Sequence, residues 1–367
     1  MEMKKLIILS ALAVLSVSVL AQNRTPKNVK YNYVEASTLT LVGKLCPDTP
    51  TPYHRIDTVK YKGFTKSENN QVRCGSGIMV AFKTNSTSIS LITEYGYLYE
   101  GVTTNKLAHR GYDLYIKQNG KWKWAAAKCP DYQKENKPIT IIKNMDGTEH
   151  ECLLYLPLYS EVKGLKIGVD EGKTLEAIEN PYRHRVAIFG SSFTHGVSCG
   201  RPGMTYPAQF SRNTGIQLLS IACSGNCKLQ PYFAEVLKDA DAEAFIFDSF
   251  SNPSVEQIKE RLFPFIEKIQ STHPGVPLIF QRTIYREGRR FDTVAEYDEQ
   301  RRIDLADSLM KVACKKYKDV YYIHPNATEK NNEASIDGIH PSNYGYELWE
   351  QSIEKKVMKI LRKYGIK

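Results

Sequence analysis

The chain has 367 residues, 42% hydrophobic and 25% charged, with a formal charge of +10. That length exceeds one ordinary core and predicts two domains, and the composition excludes a disordered chain. Lys and Arg are scattered, with no long basic run, no zinc-finger spacing and no basic helix, so nothing points to nucleic acid as a partner and the charge reads as a mildly basic surface.

Residues 1–21 read as a secretory leader. Lys4 and Lys5 precede an apolar run from Leu6 to Leu20, and cleavage is expected after Ala21. The run is too short for a comfortable membrane span and lacks a stop-transfer flank, so no stable membrane insertion is expected. An uncleaved anchor is the alternative. The mature chain is expected to be exported, periplasmic or secreted. Eight cysteines fit an oxidising compartment. Four precede residue 160 (Cys46, Cys74, Cys129, Cys152) and four follow (Cys199, Cys223, Cys227, Cys314), which is compatible with pairing inside each half.

Residues 22–175 form the first expected domain. Alternation marks strands at Thr38–Leu45, Gly77–Phe82, Ser88–Thr93, Tyr112–Lys117, Lys121–Ala126, Pro138–Lys143, His150–Leu156 and Lys163–Val169. Three hairpins are expected, across 83–87, across Asn119-Gly120 and across Asp146-Gly147. No long segment has helical periodicity. The pattern predicts a β-sandwich of jelly-roll type. Tyr112, Tyr115, Trp122 and Trp124 could form a carbohydrate platform or divide between core and surface. Asp113 is an acid inside a strand, either exposed at an edge or bonded at the domain junction.

After a polar connection at Glu171–His184, residues 180–367 change rhythm. Short apolar runs at Val186–Gly190, Ile216–Ala222, Ala244–Phe250, Pro277–Gln281 and Val320–Ile323 read as buried parallel strands. Helical patterns cover 254–270, 294–317 and 343–363. Alternation of strand and helix predicts a doubly wound, flavodoxin-like α/β domain.

Chemistry in such a sheet collects beyond the carboxyl ends of the strands. Ser192, Gly225-Asn226, Asn252 and Asp337-Gly338-Ile339-His340 all stand at such positions. A serine hydroxyl needs a base, and His340 is the candidate, with Asp337 three residues ahead to hold its tautomer. The backbone N–H groups of Ser192 and Gly225 and the Asn252 amide are candidate oxyanion donors. His195, beside the serine, is expected in the pocket wall with Asn226. Residues 283–292 are expected to form a rim loop carrying Tyr285, Arg286, Arg289 and Arg290; the arginines could bind an acidic substrate group, but a place on the solvated surface is the preferred reading. Taken singly, each stretch could be an ordinary turn or helix cap.

Gly190-Ser191-Ser192-Phe193, Gly225-Asn226, Asn252 and Asp337-x-x-His340 resemble the four blocks of the SGNH (GDSL-type) hydrolases. Gly111-Tyr112-Asp113-Leu114-Tyr115 resembles the GxDLY signature of a β-sandwich that precedes such domains in some bacterial esterases. The resemblance implies Ser192 as nucleophile, Asp337 and His340 as its partners, and an oxyanion hole from Ser192, Gly225 and Asn252. It implies hydrolysis of small acyl esters, acetyl groups on glycans among them, through an acyl-serine with no metal or cofactor. Lipid-ester hydrolysis, acyl transfer and non-catalytic glycan binding are the alternatives. The chain departs from the family pattern in carrying Ser191 where the name-giving motif has Asp, and in its third block, Asp248-Ser249-Phe250-Ser251-Asn252. A disulfide among Cys199, Cys223 and Cys227 would shape the pocket.

Overall fold

The computed structural model describes residues 28–131 and 136–367, so the expected leader lies outside the described residues. The first half contains ten strands: β1 (Tyr31–Glu35), β2 (Thr40–Val42), β3 (Met79–Thr84), β4 (Ile89–Leu98), β5 (Tyr112–Gln118), β6 (Lys121–Lys128), β7 (Ile139–Ile142), β8 (His150–Tyr155), β9 (Ser160–Asp170) and β10 (Leu175–Ala177). They form two antiparallel sheets. One has the order β1-β9-β4-β7; the other has β10-β3-β8-β5-β6, with β2 and β10 sharing the same edge of β3. Inward residues of both sheets, among them Leu91, Val162 and Ile167 from one and Val80, Leu114 and Leu154 from the other, meet in one core. Two short helices lie between strands, α1 (Lys66–Val72) and α2 (Lys106–Arg110).

The hairpin at Asn119-Gly120 is present, with both residues at positive φ as a tight two-residue turn requires. The other two expected hairpins are not hairpins. β3 and β4 lie in different sheets, as do β7 and β8. The reason is local for the first. The 85–88 connection crosses between sheets because Asp170 satisfies its polar groups. Asp170 accepts from Thr87 N–H at 2.9 Å and from the hydroxyls of Thr87 at 2.6 Å and Ser88 at 2.5 Å. Periodicity reports which face a residue takes and says nothing about which sheet its neighbour joins. The 171–184 connection is also more ordered than expected, since it contains β10.

The second half holds a five-stranded parallel sheet, β11 (Arg183–Gly190), β12 (Ile216–Ser220), β13 (Ala244–Asp248), β14 (Leu278–Gln281) and β15 (Val320–Ile323), in the order β12-β11-β13-β14-β15. This is the 2-1-3-4-5 order of a flavodoxin-like sheet, whose direction of winding reverses between β11 and β13. Three helices match expectation: α6 (Val255–Gln270), α7 (Thr293–Lys316) and α8 (Asn343–Leu361). Three were not expected: α3 (Ser192–His195), α4 (Tyr206–Thr214) and α5 (Pro231–Lys238). They are short, and length limited their periodic signal. Ala187 and Phe189 of β11 face α5 and α6, while Val186 and Ile188 face α4 and α8, so the strand is apolar throughout because both its faces are covered.

The halves are joined through buried polar contacts. Asp113, of the GxDLY stretch, is fully buried and accepts from Arg201 Nη1 at 2.8 Å, Gly203 N–H at 2.8 Å and Trp124 Nε1 at 3.0 Å. The junction alternative for Asp113 is therefore the observed one. Tyr112 and Tyr115 are buried, and the Arg201 guanidinium lies 5.0 Å from the Trp124 ring centroid, so these aromatics serve packing and the junction. Arg55, without exposed surface, donates to the carbonyls of Cys74, Gln71 and Ser220 and so ties the first half to the end of β12. All eight cysteines are free thiols, so neither the pairing within each half that the sequence allows nor a disulfide near the pocket is present.

Burial raises the Asp113 pKa more than the Arg201 charge lowers it, so the pair as a whole is a weak stabiliser. Breaking it is another matter, because a guanidinium then loses its partner. Asp113→Ala should lower the unfolding free energy by about 3 kcal/mol, read from urea titration. Lys117→Ala, which breaks the half-exposed pair with Glu151, should change it by less than about 1 kcal/mol. Equal effects would deny Asp113 its special place.

Candidate active site

β11 ends at Gly190, and the chain turns at once into α3. Ser191 caps that helix, its hydroxyl accepting from Phe193 N–H, and Gly196 closes it in the left-handed region. Ser192, the first helical residue, thus projects beyond the carboxyl end of β11. Its Oγ lies 3.1 Å from His340 Nε2, and His340 Nδ1 lies 2.8 Å from Asp337 Oδ2. The other Asp337 oxygen accepts from the backbone N–H groups of Ile339 at 3.0 Å and His340 at 2.7 Å. Burial opposes the Asp337 charge, but these bonds from His340 and Ile339 bring its pKa below the ordinary carboxyl value. With Asp337 ionised, Nδ1 carries the proton and Nε2 presents its lone pair to the serine.

Two further strand ends meet here. Cys223 N–H bonds to Gly190 O at 2.8 Å and Asn226 N–H to Cys223 O at 3.0 Å, closing a turn in which Gly225 has φ +70°. That left-handed conformation favours glycine. Asn252, beyond β13, accepts from Cys227 N–H through Oδ1 at 3.2 Å. This assigns the amide, leaving Nδ2 as a donor. Ser192, Gly225, Asn252 and His340 line one cavity of about 470 Å³. The arrangement can draw a proton from a hydroxyl and offer donors to a developing negative oxygen.

Ser191 and Asp248 are buried behind the Ser192 turn. The register pairs Gly190 with Asp248, so the last residue of β13 stands beside the turn. Asp248 Oδ2 accepts from Ser191 N–H at 3.2 Å, Ser191 Oγ at 2.8 Å and Thr194 Oγ1 at 2.9 Å. Burial pushes its pKa up to about 6 against these bonds. Asp248, the first residue of the third block that departs from the family pattern, therefore holds the turn that carries Ser192.

Three expected pocket residues lie elsewhere. His195 is fully buried under the junction, donating from Nε2 to Leu158 O at 2.8 Å and stacked on Tyr159 at 4.0 Å. A helix turn points it away from Ser192, into the first half. Asn226 faces a separate polar cleft with Glu68, Gln230 and Tyr232. Tyr285 is exposed, with the Arg289 guanidinium 4.8 Å from its ring centroid. The expectation of solvated arginines in this loop holds for Arg290 and is corrected for the other two. Arg289 is buried, and the Arg286 side chain is only 16% exposed and lines the cavity.

Two contributions had no sequence signal. Tyr99, Gly101, Val102, Thr103 and Thr104, from the loop after β4, form the opposite cavity wall. Ser198 N–H donates to Thr104 Oγ1 at 3.1 Å, and Asn105 donates to Gly200 O at 3.0 Å, fastening the loop to the second half. Glu287, also buried, accepts from Ala334 and Ser335 N–H at 3.0 and 2.8 Å. Gly288 N–H donates to Gly338 O at 2.8 Å, and a Cβ on Gly338 would stand 2.9 Å from Gly288 Cα. The Asp337–His340 loop is thus braced by the 3-10 turn Glu287–Phe291. Among the described residues no group of three or more His, Cys, Asp and Glu could hold a metal ion, and no helix is long and apolar enough to cross a membrane.

Asp248 gives the site a pH signature. Its folded-state pKa of about 6 lies above the ordinary 3.8, so the stability it contributes is greatest below pH 3.8 and is lost as pH rises to about 6. Asp248→Asn has no such titration. Between pH 4 and pH 7 the wild type should lose on the order of 2 kcal/mol relative to that variant, measured by urea titration at each pH. A difference independent of pH would mean that the carboxyl is not proton-linked to folding.

With this geometry in place, comparison with known proteins identifies the lineage. Residues 29–175 match the family described as GxDLY, the N-terminus of SGNH-hydrolase-type esterases, and residues 183–358 match the GDSL-like lipase/acylhydrolase family. No curated protein matches the chain at a significant level. Among solved structures, a GDSL-like lipase from Bacteroides ovatus is 34% identical, with a TM-score of 0.87, over 91% of this chain and 98% of that one. A salicylyl-acyltransferase from a tetracycline biosynthetic pathway (18% identity, TM-score 0.69, 92% and 99% coverage) has the same fold. So does a family two carbohydrate esterase from Clostridium thermocellum (12%, 0.58, 80% and 94%). Two family models matched in order, and an identity of 34% sustained along nearly the whole of the Bacteroides ovatus lipase, establish that the chain belongs to the SGNH (GDSL-type) family of carboxylic ester hydrolases.

Proposed function

We propose that the protein is an exported esterase that removes small acyl groups, acetyl above all, from glycans through an acyl-serine intermediate. The observation that carries the mechanism is the continuous contact Ser192 Oγ–His340 Nε2–Asp337 in a cavity also lined by Gly225 and Asn252. In this reading Ser192 Oγ attacks the ester carbonyl carbon while His340 Nε2 takes its proton. The carbonyl oxygen, now negative, receives bonds from the N–H groups of Ser192 and Gly225 and from Asn252 Nδ2. Collapse breaks the bond to the alcohol, and His340 returns the proton to it. Water, deprotonated by the same imidazole, then releases the acid and restores the serine.

The glycan part has its own support. On the far side of the 224–226 turn lies a polar cleft of about 260 Å³, lined by Glu68, Asn226, Gln257 and Arg261 among others. Donors and acceptors set along a cleft beside the scissile site suit a polyhydroxylated leaving group better than an acyl chain. The carbohydrate esterases that share this fold are in keeping with that reading, as analogy only. Export rests on Lys4, Lys5 and the apolar run that follows them.

Purified protein should hydrolyse 4-nitrophenyl acetate, and Ser192→Ala should abolish both this activity and labelling by a fluorophosphonate. Asn252→Ala should lower kcat by about 10²–10³-fold. Full turnover in the serine variant would end the acyl-serine mechanism, and an unchanged kcat in Asn252→Ala would take that amide out of the oxyanion site. Acetate release measured across acetylated polysaccharides decides the glycan assignment; release from none of them would defeat it.

A further inference from the structure

We propose that Arg286 forms a subsite for a carboxylate carried by the ester substrate, which makes acidic esters the preferred substrates of the Ser192 cavity. The inference rests on the esterase reading above and narrows its substrate class.

Arg286 follows β14 and lines the same cavity as Ser192, Gly225, Asn252 and His340. Among the described residues lining that cavity it is the one side chain with a permanent charge, and none of them is a carboxylate. An arginine this far withdrawn from water normally has a carboxylate to itself. Arg286 does not. Its Nη1 reaches Glu299 at 2.6 Å, but Arg302 engages the same Glu299 oxygen. Two guanidiniums thus share one acid. Asp248, the neighbouring acid below the turn, is engaged by Ser191 and Thr194.

The group is also prepared for binding. Nη2 donates to Ser251 O at 2.9 Å, and the guanidinium lies 5.7 Å from the Phe193 ring centroid. These contacts and Glu299 fix the planar fork before substrate arrives, so little side-chain freedom is lost when an anion binds. Ser251 precedes Asn252, so the fork stands on the side of the cavity where the ester carbonyl oxygen would point. A carboxylate a few bonds from the scissile ester, in either its acyl or its alcohol part, would come within reach. Guanidinium and carboxylate match in geometry, and the charge-assisted bonds are stronger than neutral ones.

The test uses two matched pairs with the full chain. 4-Nitrophenyl hydrogen adipate against methyl 4-nitrophenyl adipate places the carboxylate in the acyl part. An acetylated methyl glucuronoside against the corresponding acetylated methyl glucoside places it in the alcohol. At low salt, kcat/KM for the acidic member of at least one pair should exceed that of its neutral partner by about tenfold or more. Arg286→Gln should bring that ratio to about one or below, and Arg286→Lys should restore part of it. A general loss of structure would lower both members together and leave the ratio standing. Ratios at or below one in both pairs for the wild type, or a ratio unmoved in Arg286→Gln, would overturn the subsite. Turnover of the neutral esters alone would overturn the subsite and leave the esterase reading intact. Hydrolysis of none of the four would bring down both.

Discussion

A hydroxyl at the end of a buried strand can face outward only if the turn behind it has its polar groups satisfied. Asp248 supplies that condition. One carboxylate oxygen collects Ser191 N–H, Ser191 Oγ and Thr194 Oγ1, so the turn from β11 into α3 is fixed to the neighbouring strand β13. The register of Gly190 against Asp248 makes this possible, and Gly190 must be small there, since a Cβ would stand 2.0 Å from Thr194 Oγ1. The family motif places an aspartate in the turn itself, whereas this chain has Ser191, whose hydroxyl reaches a carboxylate on the next strand. The arrangement is not free of cost. Burial raises the Asp248 pKa to about 6, so the group that orders the nucleophile turn is ionised against the preference of its surroundings.

The His340 imidazole is positioned by different means. Residues 334–340 contain little regular structure, and a loop of that kind holds an imidazole in place only if its backbone is pinned. Glu287 takes the N–H groups of Ala334 and Ser335, Gly288 bonds to Gly338, and Ile336 N–H bonds to His340 O at 2.9 Å. A turn that follows β14 therefore braces the loop that follows β15. Ser192 and His340 are each fixed from a neighbouring strand end of the same parallel sheet, and the 2-1-3-4-5 order brings those strand ends together.

Much of this was legible in the sequence. Continuous apolar runs found the five parallel strands, because a strand covered on both faces has no other way to read. The order of Ser192, Gly225, Asn252, Asp337 and His340 along those strand ends located the cavity. What remained hidden has a common character. The 85–88 connection depends on Asp170, the Ser192 turn on Asp248, and the 334–340 loop on Glu287. Each is a carboxylate, buried in Asp248 and Glu287 and half-buried in Asp170, whose most distant partners lie between 48 and 83 positions away in sequence. Local pattern carries no trace of such bonds. His195 misled for the converse reason. Its closeness to Ser192 in sequence suggested closeness in function, but on a one-turn helix three residues suffice to reverse direction, and it packs on Tyr159 instead.

The cavity is composite, and its parts differ in how far a change in one reaches the others. Tyr99–Thr104 comes from the first half and is fastened at its ends, by Tyr99 N–H to Tyr159 O and by Thr104 to Ser198, while Val102 at its tip is fully exposed. Substitution at that tip alters the mouth without touching the groups that fix Ser192 or His340. Arg286 is placed differently. It holds the carbonyl before Asn252 on one side and lies over Phe193 on the other, and the Phe193 ring meets His340 at 5.6 Å. A change there acts on the Asn252 side and on the surroundings of His340 together. Substitution at the 99–104 wall can therefore leave the Ser192–His340 geometry untouched, whereas substitution at Arg286 bears on Asn252 and on His340 at once.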